Sequence, residues 1–152
     1  SINVDPAGWP KNSEELIPAL DIDGSRDYSG WFWNRSHLIA DSLGGDPILE
    51  NLAIGTRMQN VGSTMTDGEY SGGMAFGERI ARNYLDSDEA KDCPLYYAAT
   101  AQYQGNEMVP RLTTVEMENC DQTISYFITI PNTANGWIID YNDGTFRESQ
   151  NG

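Results

Sequence analysis

The chain has a single histidine, His37, and it stands in a run of residues able to handle a phosphate. The run reads Asn34-Arg35-Ser36-His37-Leu38-Ile39. An imidazole titrates near neutral pH, so it can take a proton from water. A second run, Glu50-Asn51-Leu52-Ala53-Ile54-Gly55-Thr56-Arg57-Met58-Gln59-Asn60, adds two asparagine amides and another guanidinium. A third group is Glu78, Arg79 and Arg82. Hydrolysis of a phosphodiester needs a base for the attacking water, a cation against the charge of the transition state, and a group that holds the phosphate in line. Imidazole, an Asn-held Mg²⁺ and arginine can meet those needs in turn, because Mg²⁺ prefers oxygen ligands and keeps several waters. Each residue also has an ordinary use. A lone histidine is commonly a surface or satisfied core residue, and asparagines fill loops and cap helices. Glu78 and Arg82 have the spacing of a plain helical ion pair.

These residues need elements to hold them. Positions 28–39 begin aromatic and strand-like and change character at Asn34. The Gly-Gly-Asp-Pro at 44–47 has turn chemistry. Positions 51–60 run into a short helix near Arg57, and 62–73, rich in Gly, Ser and Thr, read as a surface loop. Across 74–85 the apolar spacing of Met74, Phe76, Ile80 and Tyr84 or Leu85, without proline, predicts a helix with Glu78 and Arg82 on one face. Strands are expected at 94–103, 112–118, 124–130 and 137–141, the last leading into Asn142-Asp143-Gly144. The fold class is α+β, an antiparallel sheet with a helical insertion in its middle. Trp31 and Trp33 are able to stack on bases, but their spacing beside a strand favours flanking a core.

The 152 residues fit one domain, 1–152, with the chemistry concentrated at 34–82. Hydrophobic residues at 39% and charged residues at 21% are enough for a packed interior. No apolar run approaches the ~18–20 residues needed to cross a bilayer, so no membrane partner is expected. One His and two Cys cannot assemble a Cys/His metal cage. The opening Ser1-Ile2-Asn3-Val4-Asp5 has neither Met nor signal-peptide character and reads as a processed product. Cys93 and Cys120, if bonded, close a loop worth ~3 kcal/mol and imply an oxidising compartment; two free thiols in a cytosolic protein are the alternative.

The net charge of −14 argues against a polyanionic partner at first sight. Its distribution softens that objection. Positions 34–82 carry four Arg and six acids, a balance of −2, and the remainder carries five basic and seventeen acidic residues, a balance of −12. Arginine, suited to forked phosphate contact, is the cation concentrated there.

Asn-Arg-Ser-His, then Asn51-Leu52, then Thr56-Arg57-Met58-Gln59-Asn60, resembles the ββα-metal, DNA/RNA non-specific endonucleases of the streptococcal-type secreted kind. The similarity runs from Pro6-Ala7-Gly8-Trp9 nearly to the C-terminus, and Ser36 stands where the family signature usually has Gly. The resemblance implies His37 as general base and Asn60 as the protein ligand of Mg²⁺, with Mn²⁺ as an alternative ion. It implies that Asn51 orients the histidine or metal-bound waters, and that Glu78 holds metal-bound water. Arg82 is expected to contact phosphate, and Arg35 to contact phosphate or support the site. Arg57 and Arg79 are further candidates for substrate binding. The implied activity is cleavage of DNA and RNA to 5′-phosphate ends by an extracellular enzyme. The family also implies a further segment before Pro6, which could be an associated fragment of the same precursor. A non-catalytic reading stands beside this one: an acidic module that mimics nucleic acid, or an inactive nuclease fragment.

Overall fold

The computed structural model describes residues 8–40, 43–45, 51–65 and 72–149. The second half of the expected 44–47 turn and positions 66–71 of the expected loop lie outside the described residues. Eleven short strands and two α-helices make up the regular structure described. The α+β class holds, and every strand pairing is antiparallel. In place of one central sheet, the strands form several small ones, the largest having three strands.

The first sheet pairs β1 (Glu14–Ile17) with β3 (Tyr28–Trp31), and β2 (Ser25–Arg26) pairs with β6 (Thr64–Met65). A hairpin of β4 (Trp33–His37) and β5 (Leu52–Thr56) follows, with Trp33 opposite Thr56 and His37 opposite Leu52. Helix α1 (Arg57–Val61) starts at once from β5, and α2 spans Gly73–Leu85. After a 3-10 turn at Asp88–Lys91 come β7 (Leu95–Gln102), β8 (Leu112–Asn119) and β9 (Ser125–Pro131), the three-stranded sheet. A final hairpin joins β10 (Trp137–Ile139) to β11 (Phe146–Glu148) around the expected turn at 142–144.

Two apolar clusters form the interior. One gathers Ile17, Phe32, Trp33, Ile54, Val109 and Ala134, with Phe32 stacked on Phe146 at 3.8 Å between ring centres. Trp33 is buried here, and its indole N–H donates to the carbonyl of Gly144 at 2.9 Å. That settles Trp33 as a core residue, whereas Trp31 is exposed. The other cluster places Met74 of α2 on Val115, Met117 and Ile130 of the sheet.

The helix at 73–85 lies where the spacing predicts, but it buries a different stripe. Met74, Gly77, Ala81 and Tyr84 face inward, while Phe76 and Leu85 are exposed. Small residues win because α2 lies close on the sheet: a Cβ at Gly77 would meet Met117 Cε at 3.2 Å and Ile128 Cδ1 at 3.4 Å. At its C-terminal end the hydroxyl of Tyr84 donates to the carbonyl of Cys93. Cys93 is bonded to Cys120 at the end of β8, so the expected disulfide is formed. The loop it closes spans 27 positions. Replacing both cysteines by serine should therefore lower stability by about 3 kcal/mol. Urea unfolding of the double variant beside the parent reads this directly, and coincident midpoints would refute it.

Candidate functional site

The β4–β5 hairpin and α1 form one continuous unit, and it carries most of the residues singled out in the sequence. Along β4, Trp33, Arg35 and His37 alternate with Asn34 and Ser36. Ser36 is fully buried, and its hydroxyl donates to Asn60 Oδ1 on α1 at 3.4 Å. The contact is long for a hydrogen bond, yet it sets Asn60 against the residue next to His37. His37, Arg35 and Asn60 are all half-buried, open enough to meet a ligand and enclosed enough to be held.

Helix α1 has five residues, too few to stand by propensity alone, so its ends and contacts must hold it. Thr56 is the N-cap, and its side chain accepts from the backbone N–H of Gln59 at 3.0 Å. The same hydroxyl donates to the carbonyl of Thr133 at 2.6 Å. Gln59, buried beside the metal-ligand candidate, donates through Nε2 to Thr113 Oγ1 of β8 at 3.3 Å. Asn132, almost wholly buried after β9, completes the junction. Its Oδ1 accepts from Thr56 N–H at 2.9 Å, while its Nδ2 donates to the carbonyls of Ile54 at 2.9 Å and Pro110 at 3.0 Å.

Asn51 lies at the open end of the hairpin. Its Oδ1 accepts from Ile39 N–H and its Nδ2 donates to Ile39 O, each at 2.8 Å. The side chain thus acts as an extra rung beyond the His37–Leu52 pair. Arg57 at the start of α1 sits over the ring of Tyr28, 5.3 Å from its centre, so part of its role is structural.

Helix α2 abuts this unit at its first residue. Gly73 has φ +54°, and a Cβ there would meet Gln59 O at 2.4 Å and Met58 O at 2.6 Å, so glycine permits the approach. Glu78 lies five positions along, about 7.5 Å of helix rise. Burial pushes its carboxyl up to about 7, and Arg82, one turn later, pulls the other way. Arg79 and Arg82 are exposed on the same helix. The structure thus brings His37, Arg35, Asn51, Asn60 and Arg57 onto one hairpin–helix unit, with Glu78, Arg79 and Arg82 on the helix packed against it.

The donor set suits a hard cation. Among the described residues, the one cluster of three His, Cys, Asp or Glu groups near enough to share an ion is Cys93, Cys120 and Asp121, and its sulfurs are joined to each other. A half-buried amide oxygen such as Asn60 Oδ1 fits an ion that completes its shell with water and phosphate oxygens, as Mg²⁺ does.

Against known proteins, no family profile matches the chain. It is 34% identical over 119 residues to a deoxyribonuclease of Streptococcus dysgalactiae subsp. equisimilis, a match covering 78% of this chain and 34% of that protein. Its fold superposes on Sda1 nuclease, solved with a bound zinc ion, with a TM-score of 0.77 and 34% identity, covering 91% of this chain and 52% of that one. The chain is thus similar to a streptococcal deoxyribonuclease in sequence, and to Sda1 nuclease in both sequence and fold. NucA from Streptococcus agalactiae, solved with magnesium bound, shares the nuclease fold at a TM-score of 0.67 and 21% identity, covering 98% of this chain and 64% of that one. A chain described as an extracellular endonuclease matches at a TM-score of 0.59 and 25% identity, covering 75% of this chain and 67% of that one. The chain spans about a third of the length of the streptococcal deoxyribonuclease and about half of Sda1 nuclease.

Two expectations follow from this site. Asn132→Ala removes the partner of three buried backbone groups, and should cost about 3–4 kcal/mol in urea unfolding. A cost under about 1 kcal/mol would show that water replaces it. The second concerns pH. A carboxyl raised in the folded state favours folding most where it is protonated, and that contribution is lost as pH rises from its unfolded value of 4.5 to about 7. Without metal, the parent should therefore lose stability relative to Glu78→Gln across that window and run parallel to it above. Thermal unfolding in EDTA at several pH values measures the difference. Parallel curves throughout would mean that Glu78 is not desolvated.

Proposed function

We propose that the chain is the catalytic part of a secreted, metal-dependent nuclease that hydrolyses phosphodiester bonds in DNA and RNA and leaves 5′-phosphate ends. The observation that carries the reading is the hairpin–helix unit that sets Asn60 against Ser36, the residue next to His37. The sequence identity to a deoxyribonuclease and to Sda1 nuclease supports the same reading, as do the extracellular neighbours and the disulfide.

In this reading His37 is the general base, taking the proton from water as it attacks phosphorus. The Asn51–Ile39 pair holds the segment that follows His37, so the ring meets the water at a set angle. Asn60 holds the divalent ion through Oδ1, and Glu78 orients a water beside it. Arg82 and Arg79 approach phosphate from α2, while Arg35 supports the site from β4 and Arg57 from the start of α1. The ion, when bound, supplies positive charge against the phosphorane-like transition state. Mg²⁺ is the proposed ion because the donor is a single neutral oxygen, and Mn²⁺ suits the same ligand.

Plasmid DNA at pH 7.5 with Mg²⁺ is the test. The parent should nick it, EDTA should stop it, and His37→Ala should cut the rate by about 10²–10⁴-fold without loss of the circular dichroism signal. A folded His37→Ala protein that cleaves like the parent would remove His37 from the mechanism. A well-folded parent that leaves both plasmid and RNA intact in Mg²⁺ and Mn²⁺ would remove the activity itself.

A further inference from the structure

Tyr97 has no part in the reading above, yet its hydroxyl is a buried oxygen that makes no hydrogen bond among the described residues. A buried hydroxyl left unpartnered destabilises a fold, so packing alone would favour phenylalanine at this position. The residue stands on the inner face of β7, opposite Met117 of β8. Its ring lines a pocket of about 220 Å³ with Ile39, Leu43, Ala81, Leu85 and Leu95. Ala81 and Leu85 are three and seven positions beyond Glu78 on α2, and Ile39 is two beyond His37. Tyr97 thus lies where the exit of the His37 strand meets the flank of the helix that carries Glu78. Burial first, and then the nearby charge of Glu78, push the phenol up to about 12. It keeps its proton at any working pH and is available as a donor. The charge that acts on Glu78 itself is Arg82 of its own helix.

We propose that Tyr97 is a positioning residue for Glu78: its hydroxyl donates through one bridging water to the ionised carboxylate and fixes the direction in which that carboxylate faces. The proposal deepens the nuclease reading and rests on the role given there to Glu78. It explains why a hydroxyl is kept at a place where packing has no use for it. It also offsets the desolvation that pushes Glu78 toward its neutral form, since donation to a carboxylate favours the charged state.

The test uses the full chain as Tyr97→Phe, Glu78→Gln and the double variant. For cleavage of a short DNA duplex in Mg²⁺, Tyr97→Phe should lower kcat about tenfold, the scale of one hydrogen bond to a charged group. KM should hold, and the melting temperature should hold or rise. In the Glu78→Gln background the same substitution should change kcat less than about twofold, because a residue acting through another loses its effect when that other is gone. A readout independent of catalysis is the carbon-13 NMR titration of the Glu78 carboxyl in metal-free protein. Its midpoint should move upward in Tyr97→Phe. No loss of kcat in an active parent, an equal loss with and without Glu78, or an unmoved midpoint would each overturn the proposal. If the parent cleaves nothing, the nuclease reading fails on that ground and the titration alone decides whether Tyr97 serves Glu78.

Discussion

The backbone where β5 turns into α1 has to be satisfied away from water, and the arrangement of the candidate site depends on how that is done. Thr56 ends the strand and caps the helix, and it is fully buried. Buried N–H and C=O groups without partners are costly, and a five-residue helix has little hydrogen bonding of its own to offset such a loss. Asn132 resolves this by accepting from Thr56 N–H and donating to Ile54 and Pro110, so one amide ties β5 to the loop before β8. In sequence Asn132 lies between Ile130 of one apolar cluster and Ala134 of the other. The polar junction therefore sits where both cores can exclude water from it. Asn60, three residues past the helix start, inherits its position from this lock rather than from its own contacts.

With a net charge of −14, the chain could meet a polyanion of the kind proposed only at short range. At physiological salt the field falls off over about 8 Å, so charges near the contact outweigh the total. Outside 34–82, Arg111 is held by two bonds of 2.7 and 2.6 Å to Glu107 and lies over the ring of Tyr141. Lys91 faces Asp88 at 3.5 Å. Arg79 and Arg82 lie exposed along the helix that carries Glu78. The segment 34–82 has a balance of only −2, so most of the net negative charge lies away from the candidate site.

How much of this could be read from the sequence follows from the range of each interaction. His37, Asn51 and Asn60 lie within two short runs, and a hairpin followed directly by a helix brings such runs together, so their proximity was legible. The helix bearing Glu78 and Arg82 was legible for the same reason, because its period is local. Its buried stripe was not. Phe76 looked inward on apolarity, but closeness to the sheet selects Gly77 and Ala81, and that closeness is set by Met117 and Ile128 some forty to fifty positions away. Asn132, Thr113 and Tyr97 carry no motif at all. Asn132 is one asparagine among several in a stretch that reads as a turn, and only the fold shows that it faces Thr56 across 76 positions. The single expected sheet gave way to several small ones because alternation marks strands without saying which edges meet. The disulfide was open to inference because only two cysteines exist to pair.

Helix α2 shows how these long-range ties bear on chemistry. Its first residue is pressed against the carbonyls of Met58 and Gln59, next to Asn60. Its last turn is fixed by Tyr84 to Cys93, which the disulfide anchors to the end of β8. Between those ends, Gly77 and Ala81 let the helix lie close on the sheet, and that closeness half-buries Glu78. The burial that raises Glu78 is thus a consequence of anchoring the helix at both ends over small residues. A helix free to lift by an ångström would rehydrate the carboxyl and return it toward ordinary behaviour. The disulfide and the burial of Glu78 are therefore coupled through one element, although 15 positions separate Glu78 from Cys93 along the chain.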